Sequence, residues 1–304
     1  MVWFAENRSH YSLYVAFLMF AVLGCAMARQ LSPPFFSATP VFDRAQYAQA
    51  VGREIGDKIV TSMLSQHLKA GNIRRIARGV FASVPKHADP ATWSVDRFLA
   101  ASRLRQGAVI GYHSALQLHG YAYSEGFDVQ VIASGQPALL ETADFTCRFV
   151  KAPAPLADKD ITTVDRLGQT IRVTTPECTI ADLFDRPDLA GGPEELVNSL
   201  NLIGRLDARL VLSRLGALGN ATAAGAAGWW LEANQERLGV ANSILADLHA
   251  LAPRQNRYAL GARPGAGKVA SGWRVILPEA IMRPSFEGQP WTCPHVDTST
   301  PAPK

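Results

Sequence analysis

The chain has 304 residues, 48% of them hydrophobic and 18% charged, enough for about two domains and apolar enough to offset the entropy of ordering them, which excludes a disordered chain and a collagen-like repeat. Its four cysteines, Cys25, Cys147, Cys178 and Cys293, lack the paired spacing of zinc fingers, iron–sulfur runs and dense disulfide scaffolds, so reduced thiols and a cytoplasmic address are expected. The net charge of +4 is uneven: between Asp43 and Lys86 eight basic residues face three acidic ones, leaving the rest of the chain slightly acidic. Such a basic segment fits a small nucleic-acid-binding module, because phosphate neutralisation dominates affinities of that kind. By charge alone it also fits an ordinary solvated face.

The first element in chain order is apolar. Tyr11 to Ala28 run without a charge for eighteen residues, the lower limit for a membrane-spanning helix. Glu6 cancels Arg8, so the positive start of a secretory signal is missing, and Ala26-Met27-Ala28 matches a cleavage site only loosely. Leu23-Gly24-Cys25 has the outline of a lipoprotein site. Translation starting at Met27 would remove the stretch altogether, whereas a real anchor followed by Arg29 would leave the basic segment on the cytoplasmic side. Residues 1–30 are therefore read as an extension, either an upstream-start artefact or a single anchor. A membrane partner is expected only if they are translated.

A DNA-binding unit is expected over residues 31–87. Asp43 can cap a helix reaching about Val51, with Phe42 packed at its entry. Gly52 to Gly56 supply a break. Asp57 then caps a second helix that stops at Gly71, where positive φ is tolerated. On this helix Val60, Met63, Leu64, His67 and Leu68 make an apolar stripe, while Ser62, Ser65, Gln66 and Lys69 make a polar one at i, i+3, i+4 and i+7. Short hydroxyls, an amide and a lysine can enter a major groove and bond base edges and phosphates. Next, Asn72 to Ser83 interleave apolar residues with Arg74, Arg75 and Arg78 around Gly79, a basic β-hairpin with its arginines outward. Two helices followed by a basic hairpin give the order of a winged helix-turn-helix, with double-stranded DNA as its partner.

The residues also carry a resemblance. Gly71 to Phe81, with Ala108-Val109-Ile110-Gly111-Tyr112-His113-Ser114-Ala115-Leu116-Gln117-Leu118-His119-Gly120, Val173 to Leu183 and Trp273 to Glu279 in that order, resembles the AbiEi antitoxin family of transcriptional regulators, over about Leu31 to Ile281. The resemblance implies an N-terminal winged helix that represses its own operon, here the chain's own promoter. It further implies a larger α+β domain, residues 88–282, that counters a nucleotidyltransferase-like toxin of a type IV toxin–antitoxin system. No catalytic step, metal or cofactor is implied. The apolar extension and the Pro-, Ser- and Thr-rich tail, residues 283–304, depart from the family pattern, and the tail reads as disordered. A membrane-anchored or lipidated protein whose basic segment meets anionic lipid, and an orphan regulator with no toxin, are the competing readings.

The rest of the chain reads as α+β. Asp128 to Ala133 and Gln169 to Thr174 are expected as strands. Glu177 to Asp185, Pro193 to Leu202, Asp207 to Leu218 and Ala221 to Leu238 are expected as helices, Asn220 capping the last. Small residues from Ala221 to Gly228 permit close approach, and one of Trp229 and Trp230 should be core. Gly261 to Lys268 misses the phosphate-loop pattern at Ala262 and Val269, so a glycine-rich hairpin between strands at Tyr258 and Trp273 is expected there. His113 and His119, six apart, share no helical face. No nucleophile elbow, zinc-protease signature or nuclease pattern appears, and the protein is not expected to be an enzyme.

Overall fold

The structure is a computed structural model that describes residues 34–89, 92–126, 128–270 and 272–282. The apolar extension and the Pro-rich tail, with the expectations attached to them, lie outside the described residues. Among the described residues no helix is long and apolar enough to cross a membrane.

The fold is mixed α+β. A helical turn at residues 34–38 precedes β1 (Val41–Asp43), α1 (Arg44–Ala50), α2 (Lys58–Lys69), β2 (Ile73–Ala77) and β3 (Val80–Ser83). Asp43 closes a capping box on α1, its carboxylate accepting from the Gln46 N–H at 2.8 Å while its own N–H donates to Gln46 Oε1 at 3.0 Å. Asp57 caps α2 by accepting from the Ile59 N–H at 2.7 Å. That bond and the Arg53 guanidinium hold the Asp57 carboxyl below the usual carboxylate range. The three strands form one antiparallel sheet in the order β1-β3-β2. Phe42, Tyr47, Val60, Met63, Leu64, Ile73 and Phe81 fill the core between this sheet and the two helices. Phe42 therefore lies in a strand, where the sequence suggested only a packed helix entry.

After a connection spanning residues 84–96, α3 (Arg97–Arg103) leads into β4 (Val109–Ile110), α4 (Tyr112–His119), β5 (Asp128–Ile132), β6 (Ala138–Glu141), β7 (Thr146–Val150), β8 (Ile161–Arg166) and β9 (Gln169–Thr174). The expected boundary between residues 87 and 88 falls in that connection. The strands make a six-stranded mixed sheet in the order β6-β7-β5-β4-β9-β8. Ile110, Val129, Val131, Phe149, Ile171 and Val173 are packed into one core with Phe98 and Leu99 of α3 and with Val41, Val80 and Ala82 of the small N-terminal sheet. The two sheets thus share apolar surface rather than being joined only by the connection.

A second large core gathers Val109, Ile132 and Val150 of the sheet with the helices that follow: α5 (Pro176–Asp185), α6 (Pro193–Asn201), α7 (Ala208–Leu218), α8 (Ala221–Ala233), α9 (Gln235–Leu238) and α10 (Asn242–Leu251). The helix expected from Ala221 to Leu238 is two: α8 ends at Ala233 and is capped by Asn234, whose side chain donates to the Trp230 carbonyl. An amide that bonds nearby backbone competes with the helical ladder, which is why the segment breaks there. At the centre of this part Arg214 and Asp182 make a fully buried two-pronged pair, Nε to Oδ1 at 2.8 Å and NH2 to Oδ2 at 3.2 Å. Further guanidinium donors reach the carbonyls of Pro155 at 2.9 Å and Ala154 at 3.3 Å. Four of the five guanidinium donors are bonded, and the Asp160 carboxylate stands 3.8 Å from NH1, so the buried charge is paired, the condition under which such an ion pair is tolerated.

The chain closes with β10 (Arg257–Tyr258), β11 (Gly267–Ala270) and β12 (Val275–Pro278), ordered β10-β12-β11. The glycine-rich hairpin expected between strands at Tyr258 and Trp273 is corrected here. β10 lies parallel to β12, and the antiparallel partner of β12 is β11. Arg274 takes φ 54° and Gly272 φ 87° in the turn joining β11 to β12; that tight turn pairs those two strands and leaves the far side of β12 for β10. Trp273 sits in the turn, buried against α8.

Candidate nucleic-acid interface

α2 presents its two stripes in opposite directions. Val60, Met63 and Leu64 are buried and His67 and Leu68 half-buried, whereas Ser62, Ser65, Gln66 and Lys69 are exposed. His67 meets the Phe36 ring edge-on at 4.8 Å. Lys58, which stands four residues before Ser62 and seven before Ser65, is exposed as well. It extends the polar stripe by one turn. Running the same spacing backwards from Ser62 would have found it.

The helix is held to its neighbour by Arg44. Its guanidinium donates to the Ile55 carbonyl at 2.7 Å and to Thr61 Oγ1 at 2.6 Å, which fixes the α1–α2 corner. Arg53 bridges to Asp57 at 2.9 Å. Two of the eight basic residues in the segment are therefore committed to the unit's own geometry.

The hairpin divides the arginines. Arg75 pairs across the ladder with Phe81, and its guanidinium lies 5.7 Å from that ring's centre with the side chain exposed. Arg78 is exposed in the turn at the tip. Arg74 pairs with Ala82, which belongs to the core shared with the large sheet. Side chains alternate along a strand, so Arg74 faces that sheet. Its guanidinium is gripped by the Asp144 carboxylate at 2.5 Å, in the turn between β6 and β7, and lies 5.3 Å from the Trp93 ring centre. The structure thus brings Ser62, Ser65, Gln66 and Lys69 together with one another on α2, leaves Arg75 and Arg78 outward on the hairpin, and turns Arg74 away from them. The expectation that all three arginines point outward fails at Arg74 for this reason of register. Asp144 carries no signal in the sequence, because its contact with Arg74 spans 70 residues.

The histidines noted in the sequence have local partners. His113 Nε2 lies 3.0 Å from Glu195 Oε1, which also accepts from the Ser124 N–H and the Ser199 hydroxyl. Burial pushes the Glu195 carboxyl up, but these donors outweigh it and hold the group below the usual glutamate range. His119 Nε2 is 2.8 Å from the Thr174 carbonyl. Among the described residues no cluster of His, Cys, Asp and Glu could hold a metal ion.

No family model matches the chain, and no curated protein does. Among solved structures, the chain is similar to the crystal structure of the RV2827C protein from Mycobacterium tuberculosis, with 16% identity and a TM-score of 0.56 over 85% of this chain and 90% of that one. At that identity the likeness is one of fold.

Proposed function

We propose that the protein is a DNA-binding transcriptional repressor whose residues 34–83 act as a winged helix-turn-helix, with α2 as the recognition helix and the β2–β3 hairpin as the wing. One observation carries the reading. A helix whose exposed stripe is Lys58, Ser62, Ser65, Gln66 and Lys69 is followed at once by a hairpin with Arg75 and Arg78 outward. The first strand, β1, closes the sheet beside β3, which supports the winged arrangement. In this reading the serines and Gln66 bond base edges and phosphates, and the lysines and the two outward arginines neutralise phosphates. The sequence resemblance to the AbiEi antitoxins supports a second role, in which the larger part of the chain counters a nucleotidyltransferase-like toxin.

The test is binding of the chain to its own upstream DNA and to scrambled DNA across a salt series. Tighter, salt-dependent binding to the upstream DNA is expected. Replacing Gln66 by Ala should cost about 1–3 kcal/mol on the upstream DNA and much less on the scrambled one if it reads a base. Equal weak binding to both DNAs by the wild type would remove the repressor role.

A further inference from the structure

A cavity of about 510 Å³ lies against the large sheet, between β4, the end of β5, the start of β8 and the segment that leaves β7. Its floor is apolar: Val109, Ile132, Leu156 and Ile161. Its mouth carries two exposed cations, Lys151 and Arg172, and no carboxylate side chain lines it. Arg172 donates one bond to the Gly107 carbonyl at 3.2 Å. Neither it nor Lys151 has an ion pair among the described residues. A third cation, Arg105, donates to the carbonyl of Ser134, another lining residue, and lies 3.8 Å from the centre of the Phe149 ring.

The wall of the cavity is held in place from behind. Residues 151–156 have no regular structure, yet the Ala154 and Pro155 carbonyls are the acceptors of the buried Arg214 guanidinium, which Asp182 in turn fixes. The opening is therefore formed before anything enters it, and a preformed site loses little binding energy to ordering. Its volume falls within the range of about 300–1,000 Å³ usual for small-molecule sites.

We infer that this cavity binds a small amphipathic anion: an apolar body of medium-chain or aromatic size on the Val109–Ile132–Leu156–Ile161 floor, with a carboxylate at the rim that Lys151 and Arg172 line. Apolar surface in the floor supplies the driving force, and the rim cations select a charged head, because a charge-assisted bond to a carboxylate is stronger than a neutral one. The inference is independent of DNA binding, since no residue of α2 or the hairpin takes part.

Isothermal titration of the full chain with octanoate and with octanol tests it. The expected result is saturable binding of octanoate with octanol at least about tenfold weaker, since the alcohol keeps the apolar body and loses the charge. Lys151→Met and Arg172→Met should each weaken octanoate about fivefold, the order of one partly exposed ion pair, while leaving octanol unchanged. Lys151→Met is the safer variant because the Lys151 ammonium supports no bond of the fold, whereas Arg172 holds Gly107. Equal affinity for octanoate and octanol, no binding of octanoate, or full affinity retained in folded Lys151→Met would each overturn the proposal. DNA affinity measured on the same samples reports separately on the repressor reading.

Discussion

Arg74 and Arg75 are adjacent on β2, but the strand's alternation sends one to Asp144 and the other to solvent. Their replacements should fail differently. Arg75→Ala and Arg78→Ala are each expected to flatten the log–log salt dependence of DNA binding by about 0.9, the loss of one phosphate contact, with little change in melting temperature. Arg74→Ala should leave that slope unchanged and lower stability by about 1 kcal/mol, matched by Asp144→Ala and not additive with it, as a double-mutant cycle would show. A flattened slope for Arg74→Ala would mean that the ion pair opens on DNA. Cysteine reactivity is decided at the same scale. Burial pushes the Cys147 thiol up to about 12 and raises Cys178 still further, and a thiol nucleophile reacts as thiolate. At neutral pH a thiol reagent should leave both unlabelled in the native protein and modify both in denaturant, as peptide mapping would reveal. The α2 residues were legible in the sequence because helical spacing is local. The fate of Arg74 was not, because it depends on a carboxylate seventy positions away.

At the scale of elements, the tightest junction is between α8 and the turn before β12. A Cβ at Gly228 would sit 2.0 Å from the Trp273 ring, and that ring is fixed by stacking on His249 at 3.7 Å and by its N–H to Glu232 at 2.7 Å. Elsewhere in a helix, Gly→Ala gains about 1 kcal/mol of propensity. Here Gly228→Ala is expected to destabilise by about 1–3 kcal/mol through overpacking, read as a lower denaturation midpoint. A rise in that midpoint would show that Trp273 can move aside. The small-residue run already announced a close approach, and Trp230 is buried while Trp229 is half-buried, as the pattern of two tryptophans suggested. The partner of the run could not be read, since Trp273 lies more than forty residues further on. Helix limits followed from caps that act within four residues: Asp43, Asp57 and Asn220 all accept the expected backbone bonds. Of the six strands in the large sheet the sequence showed only β5 and β9. β4 has two residues, and the edge strands β6 and β8 are too exposed for an apolar run to mark them.

For the whole molecule, the core that Val41, Val80 and Ala82 share with the large sheet bears on how the chain comes apart. Contacts buried across a junction couple the folding of its two sides. Calorimetry should therefore give one transition whose van't Hoff and measured enthalpies agree, where a loosely tethered N-terminal unit would melt in a separate step. Two resolved transitions would show that the shared surface is too small to couple them. The end of the basic segment at Lys86 was visible as a change in charge. The apolar seam across it was not, because each strand's inward residues look the same whichever sheet they meet.

The same seam limits how a message could cross the molecule. A recognition helix on a hinge can be swung out of register by a distant event, and many switches work that way. Here the small sheet that carries α2 shares its core with the large sheet, so in the proposed reading the angle at which α2 would meet a groove is set when the chain folds. Control over DNA occupancy would then have to come from outside that angle: how many copies of the protein are present, what else competes for the same groove, and whether another macromolecule covers the face of α2.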